Sequence, residues 1–292
     1  MSTTEKAWKP TDLDAGRLRS DDFVRLSSLI ESEYGIKMPP SKRTMLESRL
    51  QRRVRQLGLP DLKRYVEFLF SEEGIGLELV HLADVITTNK TDFFREPVHF
   101  DLLLSLVLPE LLGRQRESGS PLRVWSAGCS TGEEPFTLAI VLNEFAERVA
   151  AFSFTILATD LSAGVLEKGR LGVYDRARIA PVPLLLQKRY FLRSKDPDLD
   201  LVRVKPFLRE LVRFKRLNLK DARYDIAEPF DVVFFRNVII YFSRETQREI
   251  VRRVCRSLKV GGFLFMGHSE TLFGMDLPLE QIAPTVYRRV RG

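Results

Sequence analysis

The N-terminal part of the chain repeats apolar positions at helical spacing. Four segments show this pattern: 21–34, 41–57, 61–70 and 76–86. In the first of them Phe23, Leu26 and Ile30 recur every three to four residues, and Gly35 follows where a helix is expected to end. The second begins at Ser41, whose hydroxyl is a predicted helix cap. Because no alternation of period two interrupts these segments, the first 88 residues are predicted to form an all-helical domain.

From residue 89 onward, short apolar runs alternate with helical patterns. The strand-like runs are 122–126, 154–159, 211–217, 230–235, 262–267 and 285–290. The helical stretches are 133–149, 162–170 and 244–258. This alternation predicts an α/β domain over 89–292 with a doubly wound, mostly parallel sheet. The connection to the last run, 285–290, is short, which permits an antiparallel strand near the sheet edge.

One stretch within this domain breaks the alternation. Residues 174–210 contain four prolines and a strand-like run at 201–204. A loop of this length without structure of its own is uncommon in a compact domain. The segment is therefore predicted to be a small inserted β-subdomain.

A turn rich in small residues joins the first predicted strand to the helix after it. Gly128 and Gly132 in this turn let the backbone bend tightly and approach a ligand. The next strand is followed by Asp160, a carboxylate placed to accept hydrogen bonds from ribose hydroxyls. Together the two features predict a cofactor that contains adenosine.

The acidic residues at the helix start indicate which adenosine cofactor to expect. A hydride-transfer dinucleotide enzyme normally carries G-x-G-x-x-G here, with a helix start free of acidic side chains. This chain has Glu133 and Glu134 at that place. Two carboxylates repel a pyrophosphate but suit a cationic ligand without phosphate, which favours S-adenosylmethionine over NAD.

The 292-residue chain has a formal net charge of +7, which by itself suggests a nucleic-acid partner. The charge is unevenly distributed, because the first 88 residues sum to zero whereas 41–64 carries a net +6. Four arginines of the second predicted helix lie largely off its apolar stripe: Arg49, Arg52, Arg53 and Arg55. One side of this helix is therefore predicted to pack and the other to face an anionic partner.

Several other classes of protein are disfavoured. Residues 1–10 are polar, and no apolar run approaches the ~18 residues of a membrane span. The two cysteines give no disulfide framework. His81, His99 and His268 are scattered without ligand spacing, so no metal site is predicted. We expect a cytoplasmic, monomeric protein without membrane insertion.

Four longer motifs identify a family. They are TTNKTDFFRE at 87–96, STGEEP at 130–135, FRNVIIYF at 235–242 and GHSE at 267–270. In this order they resemble the bacterial chemotaxis receptor methyltransferase family, CheR, and the similarity covers nearly the whole chain. The resemblance implies a class I S-adenosylmethionine methyltransferase domain of Rossmann-like fold, with an inserted β-subdomain and a helical N-terminal domain. It also implies esterification of glutamate side chains on the cytoplasmic helices of chemoreceptors, with S-adenosylhomocysteine as the product.

The resemblance also implies a set of cofactor-binding residues. Together with Gly128 of the turn, they are Asn89, Thr91, Arg95, Glu134, Asp160, Asn218, Leu219, Arg236 and Asn237. Arg236 is notable because it lies in an apolar run, where a buried guanidinium needs a partner. The family pattern further departs from many methyltransferases of this fold at Ser126, where those enzymes have an acidic residue.

Methyl transfer to a glutamate needs no strong general base, because a glutamate is ionised at neutral pH. The enzyme must instead align the reacting atoms and exclude water. Arg95 and Tyr241 are the predicted catalytic residues. Arg95 is expected to orient either the incoming carboxylate or the methionine end of the cofactor, and Tyr241 to donate a hydrogen bond to one oxygen of the incoming carboxylate.

Two partner surfaces are expected. The arginine side of helix 41–57 is predicted to dock onto an acidic receptor helix. Family members that bind a receptor's C-terminal tail peptide add it as a strand to the inserted subdomain. The loop 193–200 has no glycine, unlike tail-binding members, so the sequence leaves tail binding undecided.

Two alternatives stay open from the residues alone. One is a nucleic-acid or small-molecule methyltransferase of the same fold, which the charge favours but the lack of an Asn-Pro-Pro-Tyr-type motif at 236–239 disfavours. The other is a signalling scaffold that binds S-adenosylmethionine without catalysis.

Overall fold

The computed structural model describes residues 16–291. Residues 1–15, which include the polar opening segment and the start of the predicted helical domain, lie outside the described residues. The chain divides into two compact units, one ending at Ile86 and the other beginning at Thr87.

The first unit is helical over its described residues. Its α-helices are α1 (Ser20–Tyr34), α2 (Arg43–Gln56), α3 (Leu62–Leu69) and α4 (Glu72–Ile86). Helix α1 ends as predicted at Gly35, which adopts φ 72° and donates its N–H to Glu31. The predicted Ser41 cap is wrong: residues Pro40–Lys42 form a 3₁₀ turn, and no side chain caps α2. The helix needs no cap from the Ser41 hydroxyl, because the 3₁₀ turn leads directly into it.

The second unit alternates strands and helices. Its strands are β1 (Leu122–Ala127), β2 (Phe154–Asp160), β3 (Val173–Asp175), β4 (Phe191–Arg193), β5 (Leu201–Val204), β6 (Val212–Arg216), β7 (Phe230–Phe235), β8 (Leu258–Met266), β9 (Leu279–Ala283) and β10 (Val286–Arg289). Its helices are α5 (Val98–Leu102), α6 (Leu108–Ser118), α7 (Glu133–Ala146), α8 (Ala163–Leu171), α9 (Leu184–Tyr190), α10 (Pro206–Glu210) and α11 (Arg244–Arg256).

Helices α5 and α6 were not predicted. A π-helical turn at Leu103–Val107 separates them. A π turn inserts one extra residue, so the 3.6-residue apolar period is lost across it.

The seven-stranded sheet has the order β6-β2-β1-β7-β8-β10-β9. Strands β6, β2, β1, β7 and β8 are parallel, which confirms the doubly wound prediction. Strand β10 is antiparallel and lies next to the edge strand β9, which confirms the predicted antiparallel strand near the sheet edge. Strand β9 could not be recognised from the sequence, because its residues do not alternate between buried and exposed positions.

The sheet is buried on both faces. Along β1, Val124 packs into the core on one face and Trp125 into the core on the other. The chain leaves β1 in one direction to form β2 and β6, then crosses to β7 on the other side of β1. Such a switch point opens a crevice at the carboxyl ends of the parallel strands. The loops after β1, β2, β6, β7 and β8 therefore share one edge.

The predicted insertion contains a separate antiparallel sheet in the order β3-β5-β4. It follows α8 and precedes α10, so it interrupts the crossover from β2 to β6.

Candidate functional site

The turn after β1 directs its backbone N–H groups into the protein. Gly128 and Cys129 both donate to the Thr159 carbonyl, at 2.8 and 2.9 Å. Ser130 donates its N–H to Oδ2 of Asp160 at 2.9 Å, and Gly132 donates to the Cys129 carbonyl at 3.1 Å. A phosphate-binding turn presents such groups to its ligand. This donor set therefore fits a nucleoside cofactor that lacks a pyrophosphate.

Gly128 is required by both conformation and space. Its φ is 82°, in the left-handed region, and a Cβ there would lie 2.4 Å from Cγ2 of Val238. The turn after β1 thus packs directly on the loop after β7.

Asp160 connects three neighbouring segments at the end of β2. Its Oδ2 accepts from Ser130 and its Oδ1 accepts the N–H of Ser162 at 3.0 Å. Ser130 in turn donates its hydroxyl to the Asn89 carbonyl at 3.1 Å. The structure thus brings together three predicted parts of the site: the 87–96 segment, the turn and the carboxylate.

Glu134 and Arg236 form a buried ion pair. Nε of Arg236 lies 2.9 Å from Oε2 of Glu134, with the two side chains 2% and 12% exposed. Oε1 of Glu134 accepts from the Ser126 hydroxyl at 2.7 Å. The carboxylate that many enzymes of this fold carry at the end of β1 is therefore supplied here from α7, with Ser126 holding it. The partner that the Arg236 guanidinium was predicted to need is Glu134.

The remaining N–H groups of Arg236 tie the 87–96 segment to β7. Nη2 donates to the Arg95 carbonyl at 2.7 Å, and Nη1 lies 2.9 Å from Nδ1 of His99. The guanidinium also lies near the rings of Phe100 and Phe234, 5.5 and 5.7 Å from their centroids. Arg236 is thus held on all sides and holds Arg95 in place.

The hydrogen bonds of His99 set its tautomer. The Thr285 hydroxyl donates to the Pro284 carbonyl, so it accepts from Nε2 of His99 at 2.7 Å. Nδ1 is then the acceptor for Arg236, and the ring is neutral. Burial and the neighbouring Arg236 lower the pKa of His99 to about 4.

The prediction that the histidines are scattered needs correction. Ligand atoms of Glu96, His99 and His268 lie within 4.8 Å of one another. Both ring nitrogens of His99 are already hydrogen bonded, and the Arg236 cation is adjacent, so this cluster is a hydrogen-bonding network and offers no complete ligand set. Burial disfavours the charge of Glu96, but Arg236, Asn237 and His268 outweigh it and lower its pKa.

Glu270 of the GHSE motif binds the turn after β7. Its buried carboxylate accepts four backbone N–H groups at 2.7 to 2.8 Å, those of Gly267, Asn237, Val238 and Ile239. Asn237 adopts φ 58°, a strained conformation for a residue with a Cβ. Burial raises the pKa of Glu270, while the four N–H groups favour its ionised form. Glu270 therefore holds the predicted cofactor-binding turn in a conformation it would not adopt alone.

Arg178 of the inserted segment was not predicted. It lies in a 3₁₀ turn after β3 and contacts Glu133 at 2.5 Å, the Thr91 carbonyl at 2.5 Å and Asp92 at 3.2 Å. Tyr174 of β3 donates to the Thr131 carbonyl at 2.8 Å. The inserted subdomain thus supports both the 87–96 segment and the turn after β1.

These contacts change the electrostatic argument from the sequence. Glu133 is buried and paired with Arg178, and Glu134 is paired with Arg236. The two charges are therefore neutralised within the protein and do not repel a pyrophosphate as expected. A pyrophosphate is disfavoured for another reason: the N–H groups of the turn after β1 point into the protein and are not offered to a phosphate.

The other predicted site residues lie on the same edge. Thr91 is buried and Arg95 half-buried in the 87–96 segment, where Nη1 of Arg95 donates to the Lys90 carbonyl at 3.0 Å. Asn218 and Leu219 follow β6, and the Leu219 carbonyl accepts from Tyr224 at 2.9 Å. Tyr241 ends a 3₁₀ turn after β7 and is half-buried.

The four arginines of α2 divide into two pairs. Arg53 donates to both oxygens of the buried Glu78 on α4, at 2.7 and 2.9 Å, and Arg49 donates to the Val85 carbonyl at 2.9 Å. Arg52 and Arg55 are exposed and form no ion pair among the described residues. The prediction of one arginine face is therefore corrected: Arg49 and Arg53 hold α2 against α4, while Arg52 and Arg55 face outward.

None of the helices between residues 16 and 291 combines the length and hydropathy of a membrane-spanning segment.

Comparison with known proteins identifies both units. The family model described as CheR methyltransferase, SAM binding domain, matches residues 89–288, and the CheR methyltransferase all-alpha domain matches residues 21–87. A chemotaxis protein methyltransferase of Borreliella burgdorferi is 38% identical over 274 residues, covering 93% of this chain and 95% of that protein. The protein of the same name from Escherichia coli is 40% identical over 265 residues, covering 91% and 89%. The chain therefore belongs to the CheR methyltransferase family and is an S-adenosylmethionine-dependent methyltransferase.

Proposed function

We propose that this enzyme methylates glutamate side chains on the cytoplasmic helices of chemoreceptors. The observation that carries the proposal is Arg95. Its guanidinium is half-buried beside the cofactor crevice, and no carboxylate of the described residues forms an ion pair with it. An arginine that is half-buried and forms no ion pair within the protein can bind a carboxylate through two parallel N–H groups. The carboxylate of a substrate glutamate has that chemistry, and the relatives are named chemotaxis protein methyltransferases.

The chain's residues fit S-adenosylmethionine. Asp160 would bind the ribose, and Asn218 with Leu219 would border the adenine. Glu134, Arg236 and Asn237 would shape the crevice with Asn89, Thr91 and Gly128. When bound, the cofactor supplies an electrophilic methyl group on sulfur.

The protein's own contribution is positioning. The substrate carboxylate is already ionised at neutral pH, so no residue has to remove a proton. Arg95 orients this carboxylate, and its backbone is held by the Arg236 hydrogen bond at 2.7 Å. Tyr241 donates to one carboxylate oxygen and leaves the other to attack. Holding the reactants in line supplies up to about 7 to 11 kcal/mol of the barrier.

Methyl transfer tests the proposal directly. Methyl-labelled S-adenosylmethionine is incubated with the enzyme and a receptor cytoplasmic fragment, and we expect label on protein that is released by mild base, as an ester is. Arg95→Ala and Tyr241→Phe should lower the rate at least about tenfold, whereas Arg116→Ala, an exposed arginine of α6, should not. Base-stable label on nucleic acid, or cofactor binding without any transfer, contradicts the proposal and supports one of the two alternative functions.

The outward arginines of α2 are the proposed receptor contact of the helical unit. Arg52→Glu with Arg55→Glu should raise KM for the receptor, because both cations lie free on the surface. Arg53 is unsuitable for this test, since its loss would leave the buried Glu78 without a partner. Arg17→Glu, at another exposed position of the same unit, is the matched control. An equal effect of the control would remove the specific role of α2.

A second candidate partner is a receptor's C-terminal peptide, added as a strand to the inserted sheet. Strands β3 and β4 form the two edges of that sheet in the described chain. Calorimetry with the peptide tests this; absence of binding leaves α2 as the proposed contact. We further propose that the enzyme acts in the cytoplasm, where such helices lie, and as a monomer, which light scattering checks.

A further inference from the structure

Helix α11 carries a row of arginines on its outer side. The row consists of Arg244, Arg248, Arg252 and Arg256, all exposed and four residues apart. With a rise of 1.5 Å per residue, neighbours are about 6 Å apart and the row is about 18 Å long. The opposite side of the helix packs into the core through residues such as Ile250 and Val254.

The arginine row is not neutralised within the protein. None of its four members forms an ion pair with a carboxylate among residues 16–291. The helix has two acidic residues, Glu245 and Glu249, and the Glu249 carboxylate lies 3.9 Å from Arg253, which is outside the row. Like charges four residues apart lie on the same side of a helix and destabilise it. The row therefore carries a cost in the isolated protein that an anionic partner would remove.

A partly apolar cavity lies beside the row. Arg244 donates to the Thr271 and Phe273 carbonyls at 3.4 and 3.1 Å, so the loop after β8 runs along the helix. Phe273 at the tip of this loop is 86% exposed, unusual for a phenylalanine. The cavity has a volume of about 460 Å³ and opens to solvent, and it is lined by apolar residues such as Phe273 and Leu277 and by polar residues such as Thr271 and Gln281.

The cavity adjoins the catalytic crevice. Glu270 lines it and also holds the turn at 237–239. Helix α11 begins three residues after Tyr241. A partner seated on the row and in the cavity would thus be continuous with a substrate entering the site.

We infer that the arginine row, together with Phe273 and its cavity, is a second docking surface for an acidic α-helix of the protein substrate. Carboxylates four residues apart on such a helix repeat at about 6 Å and match the spacing of the arginines. An apolar side chain of the same helix fills the cavity next to Phe273. A single-stranded nucleic acid or an anionic membrane would match the charge, but neither matches the helical spacing of the arginines. The inference rests on the proposed function, since it concerns how the receptor is held.

The test uses the full-length enzyme and the receptor fragment. Arg248→Glu with Arg252→Glu should raise KM for the receptor about tenfold, while kcat changes less than about twofold. Affinity for S-adenosylhomocysteine, measured by calorimetry, should be unchanged and shows that the domain is folded. The neutral pair Arg248→Gln with Arg252→Gln should give a smaller rise, and Phe273→Ser should raise KM independently. Arg116→Glu, a charge reversal near the amino end of β1, should leave KM unchanged.

The outcomes separate this inference from the proposed function. If the wild-type enzyme does not label the receptor, the proposed function fails. If the wild type labels it but the α11 double variant keeps its KM, the docking surface is overturned. The inference is equally overturned if the double variant keeps its receptor KM while losing binding to phosphatidylserine vesicles or to a single-stranded oligonucleotide.

Discussion

Removal of Arg236 should destabilise the methyltransferase unit by about 3–5 kcal/mol. The guanidinium is 2% exposed, and its loss in Arg236→Met leaves the Glu134 carboxylate, 12% exposed, without its cation. Breaking a buried pair by removing one partner costs this much because the remaining charge stays desolvated. The variant also loses the hydrogen bonds to His99 and to the Arg95 carbonyl.

The assay is urea unfolding followed by tryptophan fluorescence. The chain has two tryptophans, so a Trp8→Phe background leaves Trp125 as the reporter. Trp125 is fully buried in β1 and donates to Thr159 at 2.9 Å, so it reports unfolding of the methyltransferase unit alone. Arg123→Met is the matched control, because its partner Glu228 is 67% exposed and a surface pair contributes less than about 1 kcal/mol.

A double variant separates the orphaned charge from lost packing. Arg236→Met leaves two carboxylates without this cation, those of Glu134 and Glu96. Adding Glu134→Gln removes the more tightly paired of the two, so at least about 1.5 kcal/mol of the loss should return. The reasoning is refuted if Arg236→Met costs less than about 1 kcal/mol, or if the double variant is no more stable than Arg236→Met alone.

Three further predictions follow from contacts at the same edge. Gly128→Ala should weaken S-adenosylhomocysteine binding more than about tenfold, because of the positive φ and the 2.4 Å approach to a neighbouring side chain; in calorimetry Gly113→Ala, a helical position with open space, should bind normally. Arg178→Met should also weaken this binding, by leaving buried Glu133 unpaired, and Glu133→Gln in the same chain should restore part of it; failure to restore means that the ion pair is not the cause. The pKa of His99 is lowered to about 4 from its ordinary 6.5. As the pH is lowered from 6.5 to about 4, His99 is protonated in the unfolded chain before it is protonated in the folded protein, so the free energy of unfolding should fall by up to about 3 kcal/mol. In urea titrations His99→Phe should lack this part of the pH dependence, and an unchanged profile would contradict the neutral state assigned to the buried His99 ring.

Much of the fold was predictable because it depends on local patterns. The alternation of apolar runs and helical stretches predicted the parallel strands, and the gap in that alternation predicted the insertion. Patterns failed where geometry departs from the standard period, as at the π turn Leu103–Val107, or where a strand is short and half-exposed, as at Leu279–Ala283.

The site was predictable only in part. Asp160 and Gly128 could be recognised because each follows a predicted strand, where the carboxyl edge of a parallel sheet collects its loops. Glu270 and Arg178 could not, since their role lies in hydrogen bonds to segments far away in sequence. Glu270 belongs to the GHSE motif that marks the family but had no predicted role, whereas Arg178 carried no signal within a segment identified only by its prolines.

The sequence by itself determined the helical and α/β units, the mostly parallel character of the sheet, the family and the type of cofactor, because periodicity and contiguous motifs are local properties. Only the tertiary structure decided which charges are paired. It neutralised Glu133 and Glu134, divided the arginines of α2 into two pairs, and placed His99 and His268 beside Glu96. Ion pairing depends on distances of a few ångströms between residues that the chain separates widely, and those distances exist only once the sheet has brought its loops to one edge.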